Sequence, residues 1–191
     1  MRVLLVEDEP LIGEATREVL EDEAFAVDLA TTGSHADELM AVNDYDVAIL
    51  DWSLPPPTGI ELLRRLCDEG LSVSLETSGA IDVSQVDARV SRVVDVKTPG
   101  SGEEPRNLWS NLPLLTAHDQ LKFVLCGRAD YEWARAKITE HAMHERCDVI
   151  LSPSFGQVDP TELAQWMIDD RIPARMQLQL HKLLWGDARG K

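Results

Sequence analysis

The chain has 191 residues, of which 44% are apolar and 27% are charged, a composition typical of a globular protein with a buried core. Its 34 acidic and 18 basic side chains give a formal net charge of −16 at pH 7. Such a surface repels phosphate groups, so we expect no nucleic acid and no membrane among its partners. The three cysteines form no C-x-x-C pair, which suits a reducing cytoplasm. Because the chain turns acidic after six residues and no apolar run could span a bilayer, we expect a cytoplasmic protein without a signal peptide.

Short runs of apolar and β-branched residues recur along the chain and predict strands, with helical spacing of apolar residues between them. The runs are 3–6, 26–30, 47–50, 71–75, 93–96, 121–125, 149–151 and 176–180. The first helical stripe is formed by Leu11, Ile12, Ala15, Val19 and Leu20. Apolar strands that alternate with amphipathic helices are typical of a parallel sheet covered on both faces. We therefore predict an α/β fold with a mainly parallel sheet of about eight βα-type units.

Carboxylates follow two of these predicted strands. Glu7 and Asp8 come directly after the first strand, and Asp51 follows the third. Because right-handed crossovers bring the carboxyl ends of parallel strands to one edge, we expect the three acids to lie together there. Three carboxylates so close together repel one another, and a cation bound between them would offset that repulsion. Ligand sets made only of oxygen atoms favour a hard cation such as Mg²⁺.

Two further strand ends carry complementary groups. Thr77 and Ser78 follow the fourth strand, and Lys97 follows the fifth. Acids, a hydroxyl and a lysine at neighbouring strand ends form an arrangement suited to phosphoryl transfer. A metal and the lysine would neutralise phosphate charge while a carboxylate attacks phosphorus.

A second, weaker metal candidate lies near the predicted helix that follows residue 130. His141 and His144 are three residues apart, with Cys147 nearby. Side chains at that spacing share one face of a helix, but their order differs from the H-E-x-x-H motif. An exposed polar helix face accounts for the same residues.

Residues 1–66 resemble a response-regulator receiver domain. The segments that carry the resemblance are VLLVEDEP at 3–10, DVAILDWSLP at 46–55 and TGIELLRRL at 58–66. The resemblance implies that Asp51 accepts a phosphoryl group as an aspartyl phosphate. It also implies that Glu7 and Asp8 bind Mg²⁺ and that Ser53 offers the metal a backbone carbonyl. A sensor histidine kinase or a small phosphodonor would be the partner, in two-component signalling.

Residues 62–191 resemble the C-terminal part of 7-carboxy-7-deazaguanine synthase, a radical S-adenosylmethionine enzyme of queuosine biosynthesis. The segments are LSVSLETSGA at 71–80, VDVKTPGSG at 94–102, LKFVLC at 121–126, LSPSFG at 151–156 and QLQLHK at 177–182. The resemblance implies S-adenosylmethionine and a [4Fe–4S] cluster as cofactors. It also implies a remnant of the S-adenosylmethionine side of that site, formed by Glu76, Thr77, Ser78, Lys97, Thr98, Pro99, Gly100 and Ser152.

The C-x3-C-x2-C motif that binds the cluster in that family is absent from this chain. Without three closely spaced thiolates, no cluster can bind and reduce S-adenosylmethionine. We therefore expect no iron–sulfur ligands and a catalytically inactive second part. A synthase-like radical S-adenosylmethionine enzyme of queuosine biosynthesis, expected to be inactive without that motif, is the alternative to a phosphoacceptor.

The chain thus reads as a chimera with its junction within 62–66, a segment that fits a helix of either family. Residues 1–70 carry 4 basic and 17 acidic side chains, whereas the remainder is far more balanced. We expect receiver-like units over 1–66 and synthase-like units over 67–191. The predicted fold is a flavodoxin-like start that continues into partial-barrel-like strands as one sheet, with residues 1–100 completing a receiver-like core. A natural, an engineered and an artefactual origin of the junction all remain open.

Overall fold

The computed structural model describes residues 1–51 and 54–178. Its strands are β1 (Arg2–Val6), β2 (Ala26–Ala30), β3 (Val47–Leu50), β4 (Ser74–Ser78), β5 (Ser91–Val96), β6 (Gln120–Leu125), β7 (Asp148–Pro153) and β8 (Arg175–Met176). Its α-helices are α1 (Pro10–Asp22), α2 (Gly33–Val42), α3 (Gly59–Asp68), α4 (Arg128–Glu140) and α5 (Pro160–Asp169). Short 3₁₀ helices occupy Pro99–Ser101, Glu104–Arg106, Trp109–Leu114 and Met143–Glu145. The predicted α/β class with parallel strands is confirmed, and the last predicted strand, 176–180, extends beyond the described residues.

The strands form two separate parallel sheets. The first has the order β2-β1-β3, and the second has the order β4-β5-β6-β7-β8. The chain divides accordingly into a first compact unit, Met1–Ser72, and a second that begins at Val73. The prediction of one continuous sheet was therefore wrong, because β4 does not pair beside β3. Neither sheet closes into a barrel within the described part of the chain.

The turn after α3 explains part of that error. Gly70 takes the left-handed conformation, with φ of 82°, and its N–H bonds to the carbonyl of Cys67. The N–H of Leu71 bonds to the carbonyl of Leu66 in the same helix end. This glycine C-cap occupies the start of the predicted strand 71–75, so β4 begins only at Ser74. Its sequence SLETS exposes Ser74 and Glu76, which does not suit a central strand covered on both faces.

In the first unit, β1 is the central strand and is almost fully buried. Helices α2 and α3 cover one face of the sheet, where Leu4, Val6, Ala36 and Leu62 share a core. Each of these helices begins with a threonine cap, and Thr58 forms a reciprocal capping box with Glu61 at the start of α3.

Helix α1 lies on the opposite face of the same sheet. A side-chain carbon added at Gly13 of α1 would lie 3.2 Å from Leu29 of β2, so helix and strand approach closely at this glycine. The apolar stripe predicted as the core face of α1 is instead exposed: Leu11 is 81% and Ile12 54% accessible. Among the described helices of this unit, only α1 lies on that side of the sheet.

In the second unit, β5 and β6 alternate between buried and half-buried residues. The buried face includes Val94, Leu121 and Phe123, and it packs against Tyr131 and Ile138 of α4 and Leu163 of α5. Because the described helices pack on this face, the predicted cover on both faces was wrong here. The other face carries Ser91 and Asp95 of β5 and Gln120 and Lys122 of β6, together with Val93 and Val124.

A buried ion pair joins β5 to the segment before β6. The carboxylate of Asp119 accepts two hydrogen bonds from the Arg92 guanidinium, at 2.8 and 3.0 Å, and further bonds from the backbone N–H groups of Arg92 and Thr116. The side chains are 5% and 0% exposed. Burial raises the pKa of Asp119, but the hydrogen bonds from Arg92 and Thr116 outweigh it and hold the pKa below its usual range.

We expect Asp119→Asn to lower the free energy of unfolding by about 3–5 kcal/mol, because it leaves the buried Arg92 guanidinium without its anion. Chemical denaturation at neutral pH measures this loss. Since the folded pKa of Asp119 is depressed, its contribution is present above the ordinary carboxyl pKa and disappears as the pH falls through the folded value. The control is Glu103→Ala, which breaks the exposed Arg106–Glu103 pair and should change stability by less than about 0.5 kcal/mol. An equal effect of both variants would contradict a structural role of the buried pair.

Candidate functional site

Three carboxylates meet at the carboxyl edge of the first sheet. One oxygen atom from each of Glu7, Asp8 and Asp51 lies within 4.8 Å of the other two. Backbone pairing fixes this convergence: the N–H of Asp51 bonds to the carbonyl of Val6, and the N–H of Glu7 to that of Ala30. The acids therefore emerge where three paired strands end, as the sequence predicts.

The chemistry of this group is that of a hard-cation site. Glu7 and Asp51 are half-buried, and Asp8 is exposed. One oxygen of Glu7 also accepts a hydrogen bond of 3.0 Å from the backbone N–H of Glu9, which orients its carboxylate. Three acidic oxygens within a few ångströms fit Mg²⁺. Over residues 1–51 and 54–178 no other group of three histidine, cysteine or acidic side chains is close enough to bind a metal. Ser53, the remaining predicted ligand, lies outside the described residues.

The loop that follows Asp51 is held against α2. Gly33, the first residue of α2, lies so close to Pro57 that an added side-chain carbon would overlap the carbonyl oxygen of Pro57. Only glycine allows this approach of two backbones. Gly33 is thus a residue near the site that the sequence analysis did not single out, although a glycine directly after the threonine cap is the visible signal.

Thr77, Ser78 and Lys97 lie in the second unit. The side chain of Thr77 is largely buried at the end of β4, and its hydroxyl lies 3.4 Å from the carbonyl of Ser78. The ammonium of Lys97 donates a hydrogen bond of 2.6 Å to Asp95. The pairing of β4 beside β3, on which the prediction of one shared sheet edge depended, is absent from the described chain.

The residues assigned to an S-adenosylmethionine side also lie at the carboxyl edge of the second sheet, but many of their polar groups are already engaged. The buried carboxylate of Asp130 accepts hydrogen bonds of 2.8–2.9 Å from the Thr98 hydroxyl, the Gly100 N–H and the Cys126 N–H. Asp130 was not predicted; its position in the first turn of α4, directly after β6, is the signal that could have indicated it.

The other members of that set are similarly occupied or covered. Glu76 pairs with Lys122 at 3.0 Å, Ser152 is 1% exposed, and Pro99 begins a 3₁₀ helix. The Glu76–Lys122 pair thus joins β4 to β6, and Ser152 is buried within β7.

The cysteines do not form a cluster site. Cys67 lies in α3 of the first unit. Cys126 follows β6, and Cys147 precedes β7, so these two lie at opposite edges of the second sheet, roughly 20 Å apart along the strands. Burial raises the pKa of both thiols, with the Asp130 charge adding to the effect at Cys126, and the pKa of Cys147 reaches about 11. Thiols this far apart do not fit the closely spaced cysteine set of a [4Fe–4S] cluster.

The weaker metal candidate is not assembled either. The ring of His141 stacks on Trp109, with centroids 5.0 Å apart. His144 lies in a separate 3₁₀ turn, because α4 ends at Glu140. Cys147 is buried. The histidines therefore do not share the helix face that the spacing suggested.

The fold and the acidic edge define the chain's first part as a parallel α/β unit with a candidate cation site. Residues 3–90 match the family model of the response regulator receiver domain. The chain is 45% identical to the transcriptional regulatory protein CutR of Streptomyces coelicolor over 71 residues, which are 37% of this chain and 33% of that protein. A solved structure, the Francisella response regulator 1452 receiver domain, is 23% identical, with a TM-score of 0.39, and the match covers 48% of this chain and 82% of that one.

The chain is also 44% identical to 7-carboxy-7-deazaguanine synthase of Chlorobaculum tepidum over 133 residues, which are 68% of this chain and 60% of that protein. Both predicted resemblances are confirmed. The chain spans about 60% of the length of this synthase. The synthase match covers 68% of the chain, and the receiver match covers residues 3–90. Together these two regions are longer than the chain of 191 residues, so they overlap.

No helix in the described part of the chain is long and apolar enough to span a membrane.

We expect Gly33→Ala to lower the free energy of unfolding of the first unit by about 1–3 kcal/mol, because the new methyl group must displace the Pro57 backbone. The same displacement should weaken Mg²⁺ binding, measured by isothermal titration calorimetry. Gly127→Ala is the control, since its added carbon would meet nothing within 4 Å. Unchanged stability and unchanged metal binding in Gly33→Ala would show that the close approach is unimportant.

Proposed function

We propose that the first unit is a phosphoacceptor of two-component signalling, in which Glu7, Asp8 and Asp51 bind Mg²⁺ and Asp51 is phosphorylated. The observation that carries this proposal is the convergence of the three carboxylates within 4.8 Å. The match of residues 3–90 to the receiver family supports it. A sensor histidine kinase or a small phosphodonor is the proposed partner.

The chemistry of the transfer follows from the charges at this edge. An oxygen of the Asp51 carboxylate attacks the phosphorus of the donor, a new O–P bond forms, and the bond to the leaving group breaks with its electron pair. The incoming phosphoryl group and the three acids repel one another. A bound Mg²⁺ supplies the positive charge that offsets this repulsion. Glu7 and Asp8, together with Asp51, would hold the metal at this edge.

The proposal extends to Ser53, Thr77, Ser78 and Lys97 only through the receiver resemblance. That resemblance implies a metal-bound carbonyl at Ser53, a hydroxyl partner for the phosphoryl group at Thr77 or Ser78, and a cation from Lys97. In the structure, the Lys97 ammonium is held by Asp95 at 2.6 Å. We therefore assign the essential steps to the three acids and a modulating role to Lys97.

Incubation of the full chain with acetyl phosphate and Mg²⁺ should add one phosphoryl group, detected by intact mass spectrometry. Asp51→Asn should abolish the addition, because an amide cannot act as the nucleophile. Asp8→Asn should reduce the labelling rate by at least about tenfold, because one metal ligand is lost. Omission of Mg²⁺ should lower the labelling rate of the parent chain by a factor similar to that of Asp8→Asn.

Two control variants test whether the loss of labelling is specific to the acidic site. Asp22→Asn removes a surface charge at the far end of α1 and should leave labelling unchanged. Lys97→Ala should reduce labelling far less than Asp51→Asn does. Labelling that persists in Asp51→Asn, or a folded parent chain that takes up no phosphoryl group with Mg²⁺ present, would refute the proposal.

A second candidate function rests on the similarity to the Chlorobaculum synthase. A radical S-adenosylmethionine reaction needs a reducible cluster, and this chain offers three separated cysteines and no C-x3-C-x2-C motif. We therefore propose that the second unit is an inactive relative of the C-terminal part of that enzyme.

Anaerobic reconstitution with iron and sulfide tests this assignment. We expect no stoichiometric iron after desalting and no cluster absorbance, because the donor set cannot hold a [4Fe–4S] centre. Replacement of Cys126 by Ser should leave the result unchanged. A retained cluster that is lost in Cys126→Ser would restore the enzyme hypothesis.

A further inference from the structure

Gly13 is buried near the start of α1. A side-chain carbon added there would lie 3.2 Å from Leu29, and 3.4 and 3.5 Å from the Cγ and Cβ atoms of Glu7. The stem of the Glu7 side chain therefore packs directly against the helix backbone at this glycine. A single added carbon would fill the space between Glu7 and Leu29, and anything larger would have to displace one of them.

The backbone of α1 gives no reason for a glycine at this position. The φ of Gly13 is not positive, and its N–H makes the ordinary helical hydrogen bond, of 3.0 Å, to the carbonyl of Glu9. Glycine inside a helix is less favourable than alanine, because it loses more conformational freedom on folding. What distinguishes the position is therefore the close approach of Glu7 and Leu29.

The start of α1 also contacts the carboxylate of Glu7. The backbone N–H of Glu9, the residue that precedes the helix, donates a hydrogen bond of 3.0 Å to Oε1 of Glu7. Because the carbonyl of the same Glu9 accepts a hydrogen bond from the N–H of Gly13, both contacts come from one short stretch of hydrogen-bonded backbone. The start of α1 thus holds the stem of Glu7 at Gly13 and its carboxylate at Glu9.

A larger side chain at position 13 would displace Glu7 more readily than Leu29. Leu29 lies within β2, whose backbone is paired with β1. Glu7 follows β1 at the edge of the sheet, and its half-buried side chain can rotate toward solvent. Mg²⁺ requires oxygen ligands at about 2.0–2.1 Å in a near-octahedral arrangement, so a rotation of Glu7 away from Asp8 and Asp51 would remove a ligand.

We propose that Gly13 is a positioning residue of the acidic site, because the absence of a side chain there leaves the space in which Glu7 is held toward Asp8 and Asp51. This inference rests on the proposed function, in which those three carboxylates bind Mg²⁺. Gly13 acts only through Glu7. Its effect is therefore on the affinity for Mg²⁺ and not on the rate of phosphoryl transfer once the metal is bound.

The test is a Mg²⁺ titration of the full chain, followed by isothermal titration calorimetry and by the rate of labelling with acetyl phosphate. Gly13→Val should weaken Mg²⁺ binding at least roughly tenfold, because the residue that orients a metal ligand is altered. At saturating Mg²⁺ its labelling rate should return to that of the parent chain.

Gly13→Ala should weaken Mg²⁺ binding in the same direction but less, because a methyl group reaches Glu7 only at contact distance. The higher helix propensity of alanine should at the same time maintain or raise the midpoint of thermal unfolding. A purely structural role of Gly13 predicts the opposite pattern, with an altered unfolding midpoint and an unchanged affinity for Mg²⁺.

Ala15→Val is the matched control, since Ala15 is exposed on the same helix and the substitution places the same β-branched side chain in it. It should leave Mg²⁺ binding and labelling unchanged, and circular dichroism should show which variants are folded. If Gly13→Val does not fold, Gly13→Ala decides. Equal Mg²⁺ affinity in the parent chain and the folded Gly13 variants would overturn the positioning role and leave the proposed function intact. A parent chain that binds no Mg²⁺ would overturn both.

Discussion

The site depends on the burial of β1 between β2 and β3. Because Val3–Val6 is covered on both faces, a shift of one residue would turn Leu4 and Val6 away from their core, so the register of the three strands is fixed. That register places Glu7 and Asp51 at the same edge, with their N–H groups bonded to Ala30 and Val6. Apolar packing thus holds the three carboxylates close together, and a bound cation would offset their mutual repulsion.

Much of the first unit could be predicted from the sequence. Strands β1, β2 and β3 coincide with the predicted runs almost to the residue, since each run is short, apolar and bounded by acids or small residues. The convergence of Glu7, Asp8 and Asp51 followed from parallel connectivity alone. What periodicity could not reveal is which apolar face receives a cover. The α1 stripe has helical spacing, yet Leu11 is 81% exposed, and no other described helix of the first unit covers that face of its sheet.

The second unit shows a different limit. Its strands were predicted near their observed positions, but the alternation of β5 and β6 indicates a sheet with one buried face. Its strongest polar interactions are structural: Asp119 binds Arg92, and Asp130 binds the loop groups of Thr98, Gly100 and Cys126. A buried carboxylate must find donors, and two of the three donors to Asp130, Thr98 and Gly100, are residues that the synthase resemblance had assigned to a ligand site.

Helix α3, within which the junction is predicted, is regular, whereas the strands on either side of it belong to different sheets. Helix α3 is stabilised by the capping box at Thr58 and by the burial of Leu62, Leu63 and Leu66. Neither interaction depends on which strand follows the helix. Strand pairing is more demanding, because neighbouring strands must agree on which faces are buried. A strand beside β3 would have to cover Val47 and Ile49 with apolar side chains. β4 instead carries the exposed polar residues Ser74 and Glu76, and it pairs with β5. The predicted join within α3 is therefore compatible with intact helices and strands on both sides of it, while β3 and β4 belong to different sheets.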